Sequence, residues 1–116
     1  MKKIALFLLI FAGAAVYAEI EHPMDAMLKT WYDTPIKEVV KYWGNATDID
    51  YKRNQTVYSW EESTERYIPG TQFQRRLECE RKLIVDISGK VIFGTFEGNG
   101  CPFTAEGAKK WAKPLK

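Results

Sequence analysis

The sequence predicts an α+β fold, short helices with antiparallel hairpins, on three observations. Apolar residues recur with helical period up to Gly44 and with period two after it. Two cysteines, Cys79 and Cys101, bracket a strand-turn-strand signal running through Val85-Asp86-Ile87-Ser88-Gly89-Lys90-Val91. The chain also opens with an export signal, which places that cysteine pair in an oxidising compartment where thiols join.

The leader comes first. Lys2 and Lys3 form a charged n-region, Ile4 to Phe11 is an unbroken apolar run, and Val16-Tyr17-Ala18 offers the small residues of a cleavage site after Ala18. The apolar stretch falls short of the ~20 residues a bilayer-spanning helix needs. No cysteine follows it to carry a lipid, so no stable membrane anchor is expected after cleavage. Residues 1–18 are read as signal peptide and 19–116 as a single α+β domain, periplasmic or secreted. The 17 Lys and Arg less Lys2 and Lys3 leave 15, against 15 Asp and Glu that all lie downstream. A mature chain without net charge lacks the basic excess of a nucleic-acid binder.

A first short helix is predicted within 19–33, with Pro23 early in it and Met24, Met27, Leu28 and Trp31 on one side. A second is predicted with Thr34 as N-cap, Pro35 at its first position, an apolar stripe of Ile36, Val39, Val40 and Trp43, and Gly44 as terminator. Next, Ile49-Asp50-Tyr51 and Thr56-Val57-Tyr58-Ser59-Trp60 flank Lys52-Arg53-Asn54 as a hairpin. Glu61 to Arg76, polar and carrying Pro69-Gly70, reads as a long connection.

With Ser88-Gly89 as a two-residue turn, a second hairpin sets Leu83 opposite Gly94 and Ile84 opposite Phe93. Leu77, Cys79, Leu83 and Val85 then share the core face with Ile92, Gly94 and Phe96, and Cys79 falls opposite Gly98. The Gly98-Asn99-Gly100 turn can bring Cys101 back onto Cys79, and closing that loop should contribute roughly 3–4 kcal/mol. Residues 103–116 form a basic amphipathic tail in which Thr104 caps a short helix. Its Ala108, Trp111 and Leu115 stripe is expected to dock over Ile84 and Phe93.

Catalysis needs a nucleophile or base held by neighbours, or a metal with several ligands. His22 is the only histidine and lies near the mature N-terminus, a poor place for a general base. Asp48 and Asp50 lack the further oxygens of a calcium loop, and Glu61, Glu62 and Glu65 read as a solvated face. Cys79 and Cys101 are not spaced as a redox-active dithiol, and Gly94, Gly98 and Gly100 precede no phosphate-loop Lys. We therefore expect no enzyme, no cofactor and no metal. Aromatic residues are abundant: Trp31, Trp43 and Phe96 are assigned to the core, and Tyr67 and Phe73 in the connection are candidate contact residues. Tyr58 and Trp60 share one strand face, and at least one of them is expected to contact a partner.

The order of these signals, a helix ending in Trp43-Gly44, then Val57-Tyr58-Ser59-Trp60, Cys79, Ile84 to Val91, and Gly98-Asn99-Gly100-Cys101, resembles small exported bacterial proteins of SmpA/OmlA (BamE-like) fold, without the lipid-bearing cysteine of the assembly lipoproteins. The resemblance covers roughly residues 27–101 and implies short helices packed on one face of a three- to four-stranded antiparallel sheet. The expected function is non-enzymatic contact with another envelope or secreted protein, in envelope assembly or maintenance. The alternative is an inhibitor of an enzyme of lysozyme, protease or beta-lactamase type, which would carry its contact residues in the 61–76 segment.

Overall fold

The computed structural model describes residues 21–115; the expected export signal, residues 1–18, lies outside them. Two helices, α1 (Pro23–Lys29) and α2 (Ile36–Trp43), precede four strands, β1 (Asp48–Tyr51), β2 (Thr56–Tyr67), β3 (Gln74–Val85) and β4 (Val91–Glu97). A short helix α3 (Ala105–Ala108) and a 3₁₀ turn (Lys109–Trp111) follow. The strands form one antiparallel sheet in the order β1-β2-β3-β4, and the expected α+β class is the class found.

Helix α1 forms where the apolar spacing requires it, and Met24, Met27, Leu28 and Trp31 are all buried on the sheet's inner face. Its cap is His22, whose Nδ1 accepts the Met24 N–H at 3.0 Å. Helix α2 begins one residue later than expected, with Pro35 in the cap position and no side-chain cap. Thr34 is diverted: its hydroxyl is buried and accepts a hydrogen bond from Lys113 Nζ at 3.0 Å.

Facing these helices, the sheet contributes Trp60, Cys79, Leu83, Val85 and Val91 to the core. Each such side chain contributes roughly 1.5–3 kcal/mol by leaving water. Gly94 is fixed by contact, since a Cβ there would lie 3.0 Å from Leu83 Cδ2 and 3.1 Å from Leu28 Cβ. Helix α1 therefore rests directly on β4.

The β3–β4 register runs as expected from Glu80↔Glu97 through Leu83↔Gly94 to Ile84↔Phe93, then slips at a bulge to Val85↔Val91. The turn is longer than two residues: Asp86 N donates to Lys90 O, and the Asp86 carboxylate accepts from Ser88 N, Ser88 Oγ and Lys90 N. One extra residue in β4 reverses the alternation beyond it. Val91 thus enters the core in place of the expected Ile92, which is exposed.

Two further expectations are corrected. Glu61 to Arg76 is no loose connection: β2 and β3 are each twelve residues long and stay paired to Tyr67↔Gln74. The tail docks, with Ala108 and Trp111 buried, but on the inner face against the helices, while Phe93 on the outer face and Leu115 stay exposed. The cause is the Cys79–Cys101 disulfide, which joins Cα atoms 4.7 Å apart. Cys79 points inward, so the bond starts the tail on that side. The approach needs Gly98, at φ +129°, where a Cβ would meet Glu78 O at 2.1 Å.

Candidate functional site

The sheet has two unequal ends. The β1 ladder stops at Asp48↔Ser59 and the β4 ladder at Glu80↔Glu97, so β2 and β3 continue alone as a two-stranded arm. Its end is a turn in which Ile68 N donates to Phe73 O at 2.9 Å and Thr71 N to Ile68 O at 3.0 Å. Gly70 supplies the positive φ of 78° that this turn requires.

The predicted contact residues divide between body and arm. Trp60 is a core residue: it is 3% exposed, its indole N–H donates to Gly44 O at 3.0 Å, and its ring stands edge-on to Trp43 at 4.9 Å. Tyr58 is half-buried and stacked on Trp60 at 6.1 Å. Tyr67 and Phe73 are 67% and 74% exposed at the arm's end, Phe73 on the inner face with Ile68 and Tyr67 on the outer face by alternation, about 30 Å along β2 from Tyr58 at ~3.3 Å per residue. The structure thus sets Tyr67 and Phe73 on the two faces of one tip and separates both from Tyr58 and Trp60.

The two edges of the arm differ. Along β3 the edge is sealed, because Glu78 N donates to Asn99 Oδ1, Gly100 N donates to Glu78 O, and Asn99 Nδ2 donates to Arg76 O. Along β2, Glu61 N donates to Thr47 Oγ1. Beyond that bond, strand alternation turns the N–H and C=O groups of Ser63 and Glu65 to the same side, past the end of β1.

Charge is segregated along the arm. At its base Glu61 pairs with Glu80 and Glu80 with Glu97, a row of carboxylates across three strands, with Lys82 3.6 Å from Glu80. Toward the tip, residues 66–77 contain Arg66, Arg75 and Arg76 and no Asp or Glu. Arg76 turns back to Glu78 at 2.9 Å.

Sequence reasoning missed Arg81, which is 1% exposed on the inner face. Its guanidinium carbon lies 4.4 Å from the Trp43 ring and 3.9 Å from the Trp111 ring. Its Nη2 donates to Glu62 Oε1 at 2.7 Å, while Nε and Nη1 are buried without a hydrogen-bond partner. Burial lowers its pKa to about 10, against the opposing pull of Glu62, so it remains charged at neutral pH. The flat, weakly hydrated guanidinium suits an aromatic slot as an ammonium does not. The signal was available: alternation from Cys79 to Leu83 sets Arg81 on the core face. The Trp111 carbonyl closes the same corner by accepting both Trp31 Nε1 at 2.7 Å and Trp43 Nε1 at 2.9 Å.

His22 has a structural place, with its ring 4.7 Å from Phe96 and Nδ1 occupied as a cap. Among the described residues no group of three or more His, Cys, Asp or Glu side chains is arranged to hold a metal ion, and no helix is long and apolar enough to cross a membrane. What this arrangement supplies is a projecting surface of apolar and cationic side chains on a braced body. No family model, curated protein or solved structure matches the chain.

Proposed function

We propose that this is a non-enzymatic periplasmic or secreted protein that works by contact with another envelope or secreted protein, and that the arm is its contact element. The observation that carries the reading is the exposure of Tyr67, Ile68 and Phe73 at the end of a two-stranded extension. Large aromatic side chains left in water at one place mark interaction sites, and binding energy concentrates in such residues. The disulfide supports an extracytoplasmic setting. Within that setting the resemblance to SmpA/OmlA (BamE-like) proteins suggests envelope assembly or maintenance. A second reading, inhibition of an enzyme by insertion of the arm into its cleft, is favoured by the same projecting tip.

The test is affinity capture from an envelope extract with the mature protein immobilised, followed by identification of the captured protein and titration of the purified pair. Tyr67→Ala and Phe73→Ala should each cut affinity by roughly thirtyfold, the equivalent of a hot spot of ~2 kcal/mol, with thermal unfolding unchanged. Wild-type affinity in both variants would remove the arm from the site. Inhibition of the captured protein's hydrolytic activity would decide for the second reading.

A further inference from the structure

The inner face of the arm carries an arrangement that costs stability and returns none. Arg66 and Arg75 sit directly opposite each other in the β2–β3 ladder, and both are exposed. Like charges in that position destabilise a strand pair, and a two-stranded ribbon in water has little stability to spare. Among the described residues neither arginine forms an ion pair, although Arg76 one position away does. Glu65 and Glu78 fall on the other face by alternation, so they cannot neutralise the pair.

Each neighbouring pair on the same face brings at least one apolar side chain to the arginines. Continuing the ladder outward, Ile68 faces Phe73, joined by the Ile68 N to Phe73 O bond. Continuing inward, Thr64 faces Leu77. Successive same-face pairs are ~7 Å apart. The strip therefore reads apolar, doubly cationic, apolar over about 13 Å; Ile68, Phe73, Arg66, Arg75 and Thr64 are exposed, and Leu77, at its inner end beside Gly100, is half-buried.

We propose that this strip, Ile68 and Phe73, Arg66 and Arg75, and Leu77, binds an acidic segment of a partner protein whose carboxylates are flanked by apolar side chains. Two guanidinium forks facing one another match carboxylates bidentately, and a bound carboxylate offsets the repulsion between them. The order of the residues selects protein over membrane: Leu77 lies on the body side of the arginines, so a bilayer that took in Phe73 could not reach Leu77 without burying both charges. Nucleic acid is disfavoured by Glu61, Glu62, Glu65, Glu78, Glu80 and Glu97 at the arm's base. The inference rests on the arm being the contact element and adds the chemistry of what it contacts.

The test uses mature protein and a fluorescein-labelled random copolymer of glutamate and tyrosine, followed by anisotropy. Wild type should bind, with affinity falling as salt rises. Arg66→Gln/Arg75→Gln should weaken binding at least about tenfold and flatten the salt dependence, while unfolding no earlier than wild type because the repulsion is gone. Phe73→Ala should weaken binding and leave the salt slope intact. Lys109→Gln/Lys110→Gln, in the tail's basic cluster, should bind as wild type does. Equal binding by the double arginine variant overturns the proposal. So does binding of phosphatidylglycerol vesicles by a wild type that ignores the copolymer. If the copolymer fails while capture of the native partner still depends on Tyr67 and Phe73, the acidic segment is refuted and the contact reading stands.

Discussion

The body and the arm are built from the same two strands, and they are held by different forces. In the body, β2 and β3 turn Trp60, Cys79, Leu83 and Val85 into the buried apolar core and are clamped by a disulfide and by the docked tail. In the arm the same strands are wet on both faces and rest on their ladder bonds, the Arg76–Glu78 pair and the Asn99 seal. Strand pairing and a few polar bonds at one edge shape the arm, whereas burial stabilises the body, so the arm's exposed side chains are free for recognition. Substitutions that shift body stability should leave the arm's chemistry alone, and the reverse should hold.

The sharpest break is Trp111→Ala. It removes a large core side chain and uncovers Arg81, so unfolding free energy should fall by about 3–5 kcal/mol in denaturant titration. A loss below ~1 kcal/mol would mean that the tail is an accessory to the body. Next is the disulfide: Cys79→Ala/Cys101→Ala should cost about 3 kcal/mol by loop entropy for a separation of 22 residues. Amide exchange should then quicken at Glu78 and Gly100, where the seal begins, while Ser63 and Glu65 exchange fast in both forms.

A smaller effect is expected at the β3–β4 turn. The hydroxyl of Ser88, and then the Lys90 N–H, hold the Asp86 carboxyl below its ordinary pKa. A carboxyl whose folded pKa is depressed adds stability above its unfolded pKa and loses it as pH falls through the folded one. Wild type should therefore lose more stability than Asp86→Asn on acidification below about pH 4, read as the difference in thermal midpoints. Least of all should come from Tyr67→Ala and Phe73→Ala, which are expected to change unfolding free energy by no more than ~0.5 kcal/mol. A loss of 2 kcal/mol or more from either would show that the arm's tip is packed, and the comparison would fail.

The body was legible because burial on one face imposes a period. Met24, Met27, Leu28 and Trp31 carry the helical one and Cys79, Leu83 and Val85 the strand one, and each lies where that period put it. The register from Glu80 to Ile84 was legible for the same reason. The arm was not, because strands wet on both faces need no alternation, and Glu61 to Arg76 reads as loop by any hydrophobic pattern. Its aromatic tip was found by residue type without its geometry. The bulge at Val85 leaves no local signal, so Ile92 and Val91 exchanged places. Trp60 reads either way in the sequence because a tryptophan suits both a core and an interface, and its burial and its bond to Gly44 decide for the core.

The single carbonyl of Trp111 sets a timetable. Trp31 waits eighty residues for its acceptor and Trp43 sixty-eight, and both receive the same oxygen atom. A chain made from its N-terminus therefore holds two indoles and the Arg81 slot open until residue 111 has emerged. Until then the body's corner has no lid, and a thread passing through a narrow pore in that interval meets no finished core to resist it.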